Sequence, residues 1–168
     1  CTALQQVLVQ EQCGRVTNGL AWVMATPPQW WPEVATDYHR EQWLLPSVRG
    51  EKHEAYAITE EFAGSDVSAL TATARRDGDS YVLNGQKLWI SLADLADHFL
   101  VFASVDREKR HKGVTAFVLE RGMAGLTTGT LHGKLGIRAG NTGLIKLDGV
   151  RVPVENRIGE EGEGASCA

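Results

Sequence analysis

The sequence has little cysteine, and the few cysteines do not form the pattern of a disulfide-stapled domain. Cys1, Cys13 and Cys167 are too few and too scattered along 168 residues for such a framework. We therefore predict reduced thiols and a cytoplasmic location. The sequence contains no basic region followed by an apolar region and small residues, which is the pattern of a signal peptide. Because the first residue is Cys rather than Met, we interpret the start as a cut or processed end.

Long apolar runs and an excess of basic charge are also missing. No stretch approaches the roughly 18 apolar residues of a membrane-spanning helix, so we expect no membrane partner. The net charge is −4, whereas domains that bind nucleic acid through its phosphates usually present a basic face. We expect no nucleic acid partner either. With 43% hydrophobic and 23% charged residues, the composition is that of a globular protein.

Several chemical signatures are absent as well. The five histidines show neither HxxxH nor HxH spacing and no CxxC pair occurs, so no metal site is expected. The segment Ala63–Asp66 lacks the GxSxG pattern of a hydrolase nucleophile. The glycine-rich run Gly159–Gly164 contains three glutamates, which would repel phosphate, so we interpret it as an acidic loop rather than a dinucleotide fingerprint.

The first 52 residues have helical periodicity. Apolar residues recur at helical spacing from about Ala3 to Met24, before the break at Pro27-Pro28. A second helix fits Pro32 to Leu45 and is predicted to bend or end at Pro46. Because two short amphipathic helices cannot bury a core alone, we assign residues 1–52 to a partial N-terminal helical domain.

The pattern of residues 53–168 instead predicts short strands separated by turn signals. Asp77-Gly78 and Asn84-Gly85 are hairpin-type pairs on either side of Tyr81–Leu83. Further strands are predicted at Lys87–Ile90, His98–Val105, Val114–Leu119, Leu144–Leu147 and, after Asp148-Gly149, Val150–Val154. We therefore predict an α+β fold in which short N-terminal helices precede an antiparallel β-barrel or sandwich domain.

Two segments contain candidate functional residues. In Tyr56–Val67, Ser65 can cap a helical turn whose N–H groups hold an anion, although an ordinary cap has the same pattern. In Asn84–Ser91, Trp89 and Ser91 are two positions apart and so point to one face of a strand. An indole beside a hydroxyl suits a flavin, whereas the simpler alternative is a Trp that packs on a core face.

Three stretches occur in order along the chain: YAITEEFAGSDVSAL, DGDSYVLNGQKLWIS and LGIRAGNTGLIKLDGVRVPVENRIGEEGEG. Together they resemble the acyl-CoA dehydrogenase family, with the end of its N-terminal helical domain ahead of its middle β-domain. The resemblance implies a flavoprotein oxidoreductase of fatty acid metabolism that oxidises an acyl-CoA thioester at its α and β carbons with FAD. A carboxylate removes the α proton while the β hydride moves to flavin N5. Related acyl-CoA oxidases and flavin monooxygenases share this domain, and the motifs do not separate them.

The resemblance also implies site residues. Those expected to bind FAD are Tyr56, Ala57, Ile58, Thr59, Gly64, Ser65, Trp89, Ile90 and Ser91. The Ser91 hydroxyl would approach flavin N5, where a donor stabilises the charge that arrives with the hydride. Ser65 and Gly140 are expected to contact the acyl-CoA substrate, although some members of the family have Ser at the position of Gly140.

Other positions depart from the family pattern. Glu61 replaces the usual Pro, Phe62 follows where a small residue is common, and Leu92 takes the place of a frequent Asn. In this family the catalytic carboxylate comes from a C-terminal helical domain, and neither Glu60 nor Glu61 lies at the position of that base. The catalytic residue is therefore unknown, and we expect a fragment or truncated member that is inactive in isolation.

The alternative is a non-catalytic β-domain that binds flavin or CoA or serves oligomeric assembly. Apolar surface left uncovered by helices would favour a homo-oligomer or a partner chain on the exposed face.

Overall fold

The computed structural model describes residues 2–16 and 31–167. Helix α1 spans Ala3–Cys13 and begins with a capping box, in which the Thr2 hydroxyl accepts from the Gln5 N–H and the Gln5 side chain accepts from the Thr2 N–H. The sequence predicts a helix that continues to Met24, but α1 ends before Gly14, a residue of low helix propensity. Residues 17–30 of that prediction lie outside the described residues.

The second predicted helix, Pro32 to Leu45, is wrong as a single element. Helical segment 31–48 consists of α2 Trp31–Val34, α3 Asp37–His39, a π-helical stretch Arg40–Leu44 and α4 Leu45–Val48. The break comes at Thr36, whose hydroxyl caps the N terminus of α3 by accepting from the His39 N–H.

Pro46 does not end the helical segment as predicted. It lies in the first turn of α4, where a missing N–H is tolerated. The Lys52 ammonium donates to the Gln42 carbonyl at 3.1 Å, four residues before Pro46, and so gives that carbonyl a donor. Within the described residues, no helix is long and apolar enough to cross a membrane.

An eight-stranded sheet makes up most of the structure. Its strands are β1 Glu54–Ala57, β2 Thr73–Asp77, β3 Ser80–Ser91, β4 His98–Ser104, β5 Val114–Glu120, β6 Leu126–Thr130, β7 Thr142–Pro153 and β8 Arg157–Ile158. The order is β6-β7-β3-β2-β4-β5-β8, and β1 pairs in parallel with β4. All other pairs are antiparallel except the single contact of β2 with β4.

The sheet is open, with β6 and β8 at its two ends, and side chains of β3 and β7 pack against those of β4 and β5 in one core. The rings of Tyr81 on β3 and Phe117 on β5, for example, lie 4.9 Å apart between centroids. The predicted α+β class and the sandwich arrangement are therefore confirmed, whereas the sheet does not close into a barrel.

One of the two predicted hairpin turns is wrong, and so is the predicted division of β7 at Asp148-Gly149. Asp77-Gly78 does connect the β2–β3 hairpin, with Gly78 at φ +62°. Asn84-Gly85 and Asp148-Gly149 instead lie inside the long strands β3 and β7, and the Asn84 side chain accepts from the Gly149 N–H at 2.8 Å. At Gly85 a Cβ would lie 2.7 Å from the Cα of Ala72, so this glycine permits close approach of the Ala72 backbone rather than a turn. The register shift beside it places Asp148 and Gly149 opposite Asn84 in a bulge.

Four short strands, β1, β2, β6 and β8, lie where no strand was predicted. The sequences TARRD and LTTGT contain few apolar residues and show no alternation, so their pairing is a consequence of the longer strands beside them. Short 3-10 helices complete the described chain at Val67–Ala69, Arg107–Gly113, Val154–Asn156 and Gly164–Cys167.

The core lies on both faces of β4, which is buried at every position. One face packs against β3 and β7, and the other packs against helical segment 31–48 through Trp31 and Trp43. The Trp43 indole also donates to the Glu120 carboxylate on β5 at 2.9 Å. The helical segment and the sheet thus share a core, while the division of the chain at residues 52 and 53 stays a prediction.

We predict that His39 makes the stability of the protein sensitive to mild acid. Its buried Nδ1 accepts from the Thr36 N–H at 3.2 Å, so Nε2 carries the proton and donates to the Glu155 carbonyl at 2.6 Å. Burial lowers the pKa of His39, although contact with Glu155 opposes this shift. Because the unfolded chain then binds the extra proton more readily, the free energy of unfolding should fall between about pH 7.5 and pH 5.5.

The measurement is urea unfolding across that range, with His39→Gln as the test variant and the exposed His111→Gln as its control. The His39 variant should lose part of the pH dependence, and the control should keep it. Equal slopes in all three proteins would contradict the prediction.

Candidate functional site

The first predicted segment begins in β1 and leaves the sheet at its end. Ala57 is buried in the core, and the Tyr56 ring packs on that of Phe102 with 5.1 Å between the centroids. Ile58 and Thr59 follow outside the strand and are half-buried. The strand thus delivers Thr59 to the rim of the sandwich, where its backbone can meet a neighbouring strand.

The second predicted segment meets Thr59 directly. The Leu88 N–H of β3 donates to the Thr59 carbonyl at 2.9 Å, outside the regular ladder of the sheet. The residue after Leu88 is Trp89, whose side chain is 63% exposed. The structure therefore brings Thr59 and the Trp89 stretch together, although they are about 30 residues apart in the sequence.

A β-bulge decides which side chains of β3 face outward. The register with β7 shifts between Lys87 and Ile90, and Trp89 lies in the left-handed region at φ +60°. Strict alternation would bury only one of Lys87 and Ile90, but both are buried, and Trp89 and Ser91 lie at the surface. Such backbone strain costs about 1–3 kcal/mol, so the surrounding contacts must hold Trp89 in this conformation.

A buried ion pair lies beneath this bulge. The Lys87 ammonium donates to the Glu60 carboxylate at 2.7 Å and to the Ile58 carbonyl at 3.1 Å. The side chain of Lys87 is 0% exposed and that of Glu60 is 3% exposed. Glu60 also accepts from the backbone N–H groups of Thr71 and Ala72 and from the Thr71 hydroxyl. Because the pair is satisfied by hydrogen bonds, two charges can lie in the interior.

The electrostatics of the pair follow from its burial. Burial lowers the pKa of Lys87 to about 8, and the neighbouring Glu60 carboxylate limits the drop. Burial alone would raise the pKa of Glu60, but the Lys87 charge and the hydrogen bonds from Lys87 and Thr71 outweigh it and hold that pKa below its usual value. Glu60 therefore remains an ionised carboxylate whose lone pairs are engaged, which makes it unsuited to accept a proton from a ligand.

The turn after Glu60 carries the remaining predicted residues of the first segment. Glu60 and Ala63 form an isolated β-bridge, and the next residues, Gly64 and Ser65, are exposed. The cap of the following 3-10 helix is Asp66, whose carboxylate accepts from the N–H and hydroxyl of Ser68, so the prediction of a Ser65 cap is wrong. Phe62, where the family pattern has a small residue, is 80% exposed.

Gly140 lies in the loop before β7, near the C-terminal end of β3. Ser91 pairs with Thr142 across the sheet, and the Leu92 N–H donates to the Asn141 carbonyl at 3.0 Å. The Lys134 ammonium holds the same loop by donating to the Gly140 carbonyl at 2.6 Å and to the Thr142 hydroxyl at 2.9 Å. The structure thus brings Gly140 close to Ser91.

A cavity of about 410 Å³ opens beside this loop. Its walls include Leu95, Gly140 and the cationic side chains Lys134 and Arg138. An apolar side chain next to positive charges suits a ligand with an apolar portion and an anionic group. Within residues 2–16 and 31–167, no group of three or more His, Cys, Asp or Glu could hold a metal ion.

Sequence reasoning missed Lys87, the residue that joins the two segments. The signal was present, since Leu83, Gly85 and Lys87 occupy alternate positions of a strand whose Leu83 faces the core. An inward lysine needs a buried carboxylate partner. Sequence alone did not single out that partner, because Glu60 and Glu61 are adjacent and only Glu60 turns inward.

Comparisons with known proteins agree with the motifs. A family profile described as acyl-CoA dehydrogenase, middle domain, matches residues 55–150. The chain is 43% identical over 136 residues to the short-chain specific acyl-CoA dehydrogenase of Clostridium acetobutylicum, which covers 81% of this chain and 36% of that protein. It is 40% identical over 131 residues to the 3-(aryl)acrylate reductase of Clostridium sporogenes, with 78% of this chain and 35% of that protein covered.

Solved structures show the same relationship. Butyryl-CoA dehydrogenase from Megasphaera elsdenii superposes with a TM-score of 0.78 at 39% identity, covering 80% of this chain and 36% of that one. Glutaryl-coenzyme A dehydrogenase in its glutaryl-CoA complex gives a TM-score of 0.79 at 37% identity, with 83% and 35% covered. The chain therefore spans only about a third of the length of these relatives.

We predict that the two members of the ion pair depend on each other. Lys87→Met leaves the Glu60 carboxylate buried without its counter-charge, so the free energy of unfolding should fall by about 3–5 kcal/mol. The double variant Glu60→Gln, Lys87→Met should recover only part of that loss, because the neutral amide needs no cation beside it but has one acceptor oxygen where the carboxylate accepts from N–H groups through two. Urea unfolding at neutral pH measures both.

The control is Asp77→Asn, which removes the exposed Asp77–Arg151 pair of 2.8 Å and should leave stability nearly unchanged. A loss in Lys87→Met no larger than that of the control would show that the buried pair contributes no more than a surface pair.

Proposed function

The chain belongs to the acyl-CoA dehydrogenase family, and on that premise we propose that it supplies part of the FAD site for dehydrogenation of an acyl-CoA thioester. The observation that supports this most directly is the outward Trp89 indole, held in a left-handed conformation and linked through Leu88 to Thr59. An exposed aromatic ring on a rigid strand can stack on a planar heterocycle at little entropic cost.

The residues fit the expected cofactor. The Trp89 indole would lie along the flavin ring. The Tyr56–Thr59 stretch and Ile90 of β3 would form the surface against which the flavin packs. Gly64 and Ser65 form an exposed turn, where a hydroxyl and backbone N–H groups can meet phosphate oxygens. FAD, when bound, would accept a hydride from the substrate. The exposed Ser91 hydroxyl would donate a hydrogen bond beside the ring and stabilise the charge that develops there.

The acyl-CoA is proposed to lie between Ser65 and the Gly140 loop. The cavity beside Gly140 has an apolar wall at Leu95 and positive charge at Lys134 and Arg138. This arrangement suits a thioester that combines an apolar acyl chain with a phosphorylated carrier. A glycine at position 140 offers backbone groups but no hydroxyl for that contact.

The catalytic base is not among the carboxylates next to the motif. Glu60 is engaged by Lys87, Thr71 and Ala72, and Glu61 is exposed on the neighbouring turn. We therefore propose that these 168 residues bind and orient but do not complete the reaction alone. The catalytic carboxylate would come from a further segment or from a partner chain, as in an oligomer.

A second function is a non-catalytic binding or assembly domain. The exposed Glu61 and Phe62 on the turn before Gly64 favour it, since a carboxylate there opposes bound phosphate. Oxidase or monooxygenase chemistry is a further alternative within the same fold, because the motifs of this chain do not distinguish these activities from dehydrogenation. The cytoplasmic location stays a prediction.

We predict that the purified chain binds FAD and that Trp89→Ala weakens this binding at least about tenfold, because the ring loses its stacking partner. The measurement is a titration that follows the flavin absorption spectrum. Val48→Ala, at another exposed apolar side chain far along the sequence from the site, should bind like the wild type. Circular dichroism should show that both variants are folded. Equal FAD affinity in a folded Trp89 variant would remove this residue from the site.

We also predict that the 168-residue chain does not dehydrogenate acyl-CoA thioesters, because Glu60 is engaged by its partners and, by the family resemblance, the exposed Glu61 does not lie at the position of the catalytic base. An artificial electron acceptor, offered with FAD and thioesters of several chain lengths, should remain unreduced. Sustained turnover would overturn this proposal, and Glu61→Gln would then test whether that exposed carboxylate acts as the base.

A further inference from the structure

The Glu60–Lys87 pair connects three separate segments of the chain. Lys87 belongs to β3, Glu60 to the loop after β1, and the N–H groups that bind Glu60 to residues 71–72, just before β2. Both carboxylate oxygens are engaged, Oε1 at 2.7 and 3.0 Å and Oε2 at 2.6 and 2.5 Å. One ion pair therefore determines how these three segments lie relative to one another.

Thr59 is held from both sides by this arrangement. Its predecessor, Ile58, accepts from the Lys87 ammonium through its carbonyl, and its successor, Glu60, accepts through its carboxylate. The Thr59 carbonyl itself accepts from the N–H of Leu88, the residue that follows Lys87. Three consecutive residues are thus tied to two consecutive residues of β3.

Trp89 lies on the other side of the same two residues. Lys87 is buried two positions before it, and the bulge that turns Trp89 outward begins at Lys87. Any shift of Lys87 along or across the sheet would move Thr59 and Trp89 relative to each other. The positions of the two candidate flavin contacts are therefore set by a group that is itself buried.

A stability role alone does not explain why charged residues occupy these positions. Apolar residues of similar volume are often as stabilising as a buried ion pair, or more so. The ion pair adds specificity of packing. Lys87 and Glu60 have few alternative partners in the interior, whereas apolar side chains can pack in more than one arrangement. The hydrogen bonds of this pair therefore favour a single arrangement of the Thr59 loop against β3.

We propose that Glu60 and Lys87 are positioning residues that set the separation between Thr59 and Trp89. The consequence for FAD affinity rests on the proposed function, whereas the positioning itself does not. Neither residue needs to contact the cofactor, since both act through the backbone of the loop and the strand.

The first test measures the Thr59–Leu88 contact by amide hydrogen exchange in the full chain. The double variant Glu60→Gln, Lys87→Met should exchange the Leu88 N–H at least about tenfold faster than a comparison variant. Val152→Ala, a buried core change at the far end of the β3–β7 pair, is the comparison variant, and urea unfolding of both variants corrects the exchange rates for any difference in global stability. Equal Leu88 exchange in the two would overturn the proposal. If the double variant does not fold, Glu60→Asp, which keeps the charge but shortens the reach, takes its place.

The second test titrates the same variants with FAD. The double variant should bind at least about tenfold more weakly than Val152→Ala, because misplaced contacts lose affinity steeply with distance. Faster Leu88 exchange with unchanged FAD affinity would overturn the link to the cofactor. If the wild-type chain binds no FAD, the proposed function fails, while the Leu88 exchange still decides whether the pair positions the loop.

Discussion

The contact between Glu60 and Lys87 determines how the candidate site is built. It places two opposite charges in the interior, and each is satisfied by several hydrogen bonds. Since removing either partner would leave an uncompensated buried charge, the loop after β1 cannot easily leave its place on β3. The exposed features of the site, above all Trp89, are consequences of this internal constraint and of the bulge above it.

The sheet around the pair is arranged to permit this geometry. Gly85 lets the chain of Ala72 approach β3 closely, and Ala72 is one of the residues whose N–H binds Glu60. The bulge between Lys87 and Ile90 allows both side chains to face inward. On the opposite face of β4, helical segment 31–48 completes a second core. The long strands thus provide a rigid support, and the irregular backbone lies where the site is.

Much of the fold was predictable because long, strongly apolar strands carry an unambiguous pattern. His98–Val105 and Val114–Leu119 were predicted within a residue or so, and the hairpin at Asp77-Gly78 was correct. The other two Asx-Gly pairs were misassigned because the same residues that tolerate positive φ in a turn also tolerate it in a bulge. Short edge strands such as β6 were not predicted, because they are strands through their pairing with a neighbour rather than through their composition.

The sequence by itself determined the family, the α+β class and the two segments that hold the candidate flavin residues, because these depend on local order and periodicity. Only the tertiary structure decided which of the neighbouring carboxylates, Glu60 or Glu61, turns inward, and that its partner is Lys87. It also decided that Trp89 points outward although Lys87, two positions away, points in. The physical reason is that a buried charge is tolerated only beside its partner, and that partner lies 27 residues away along the chain.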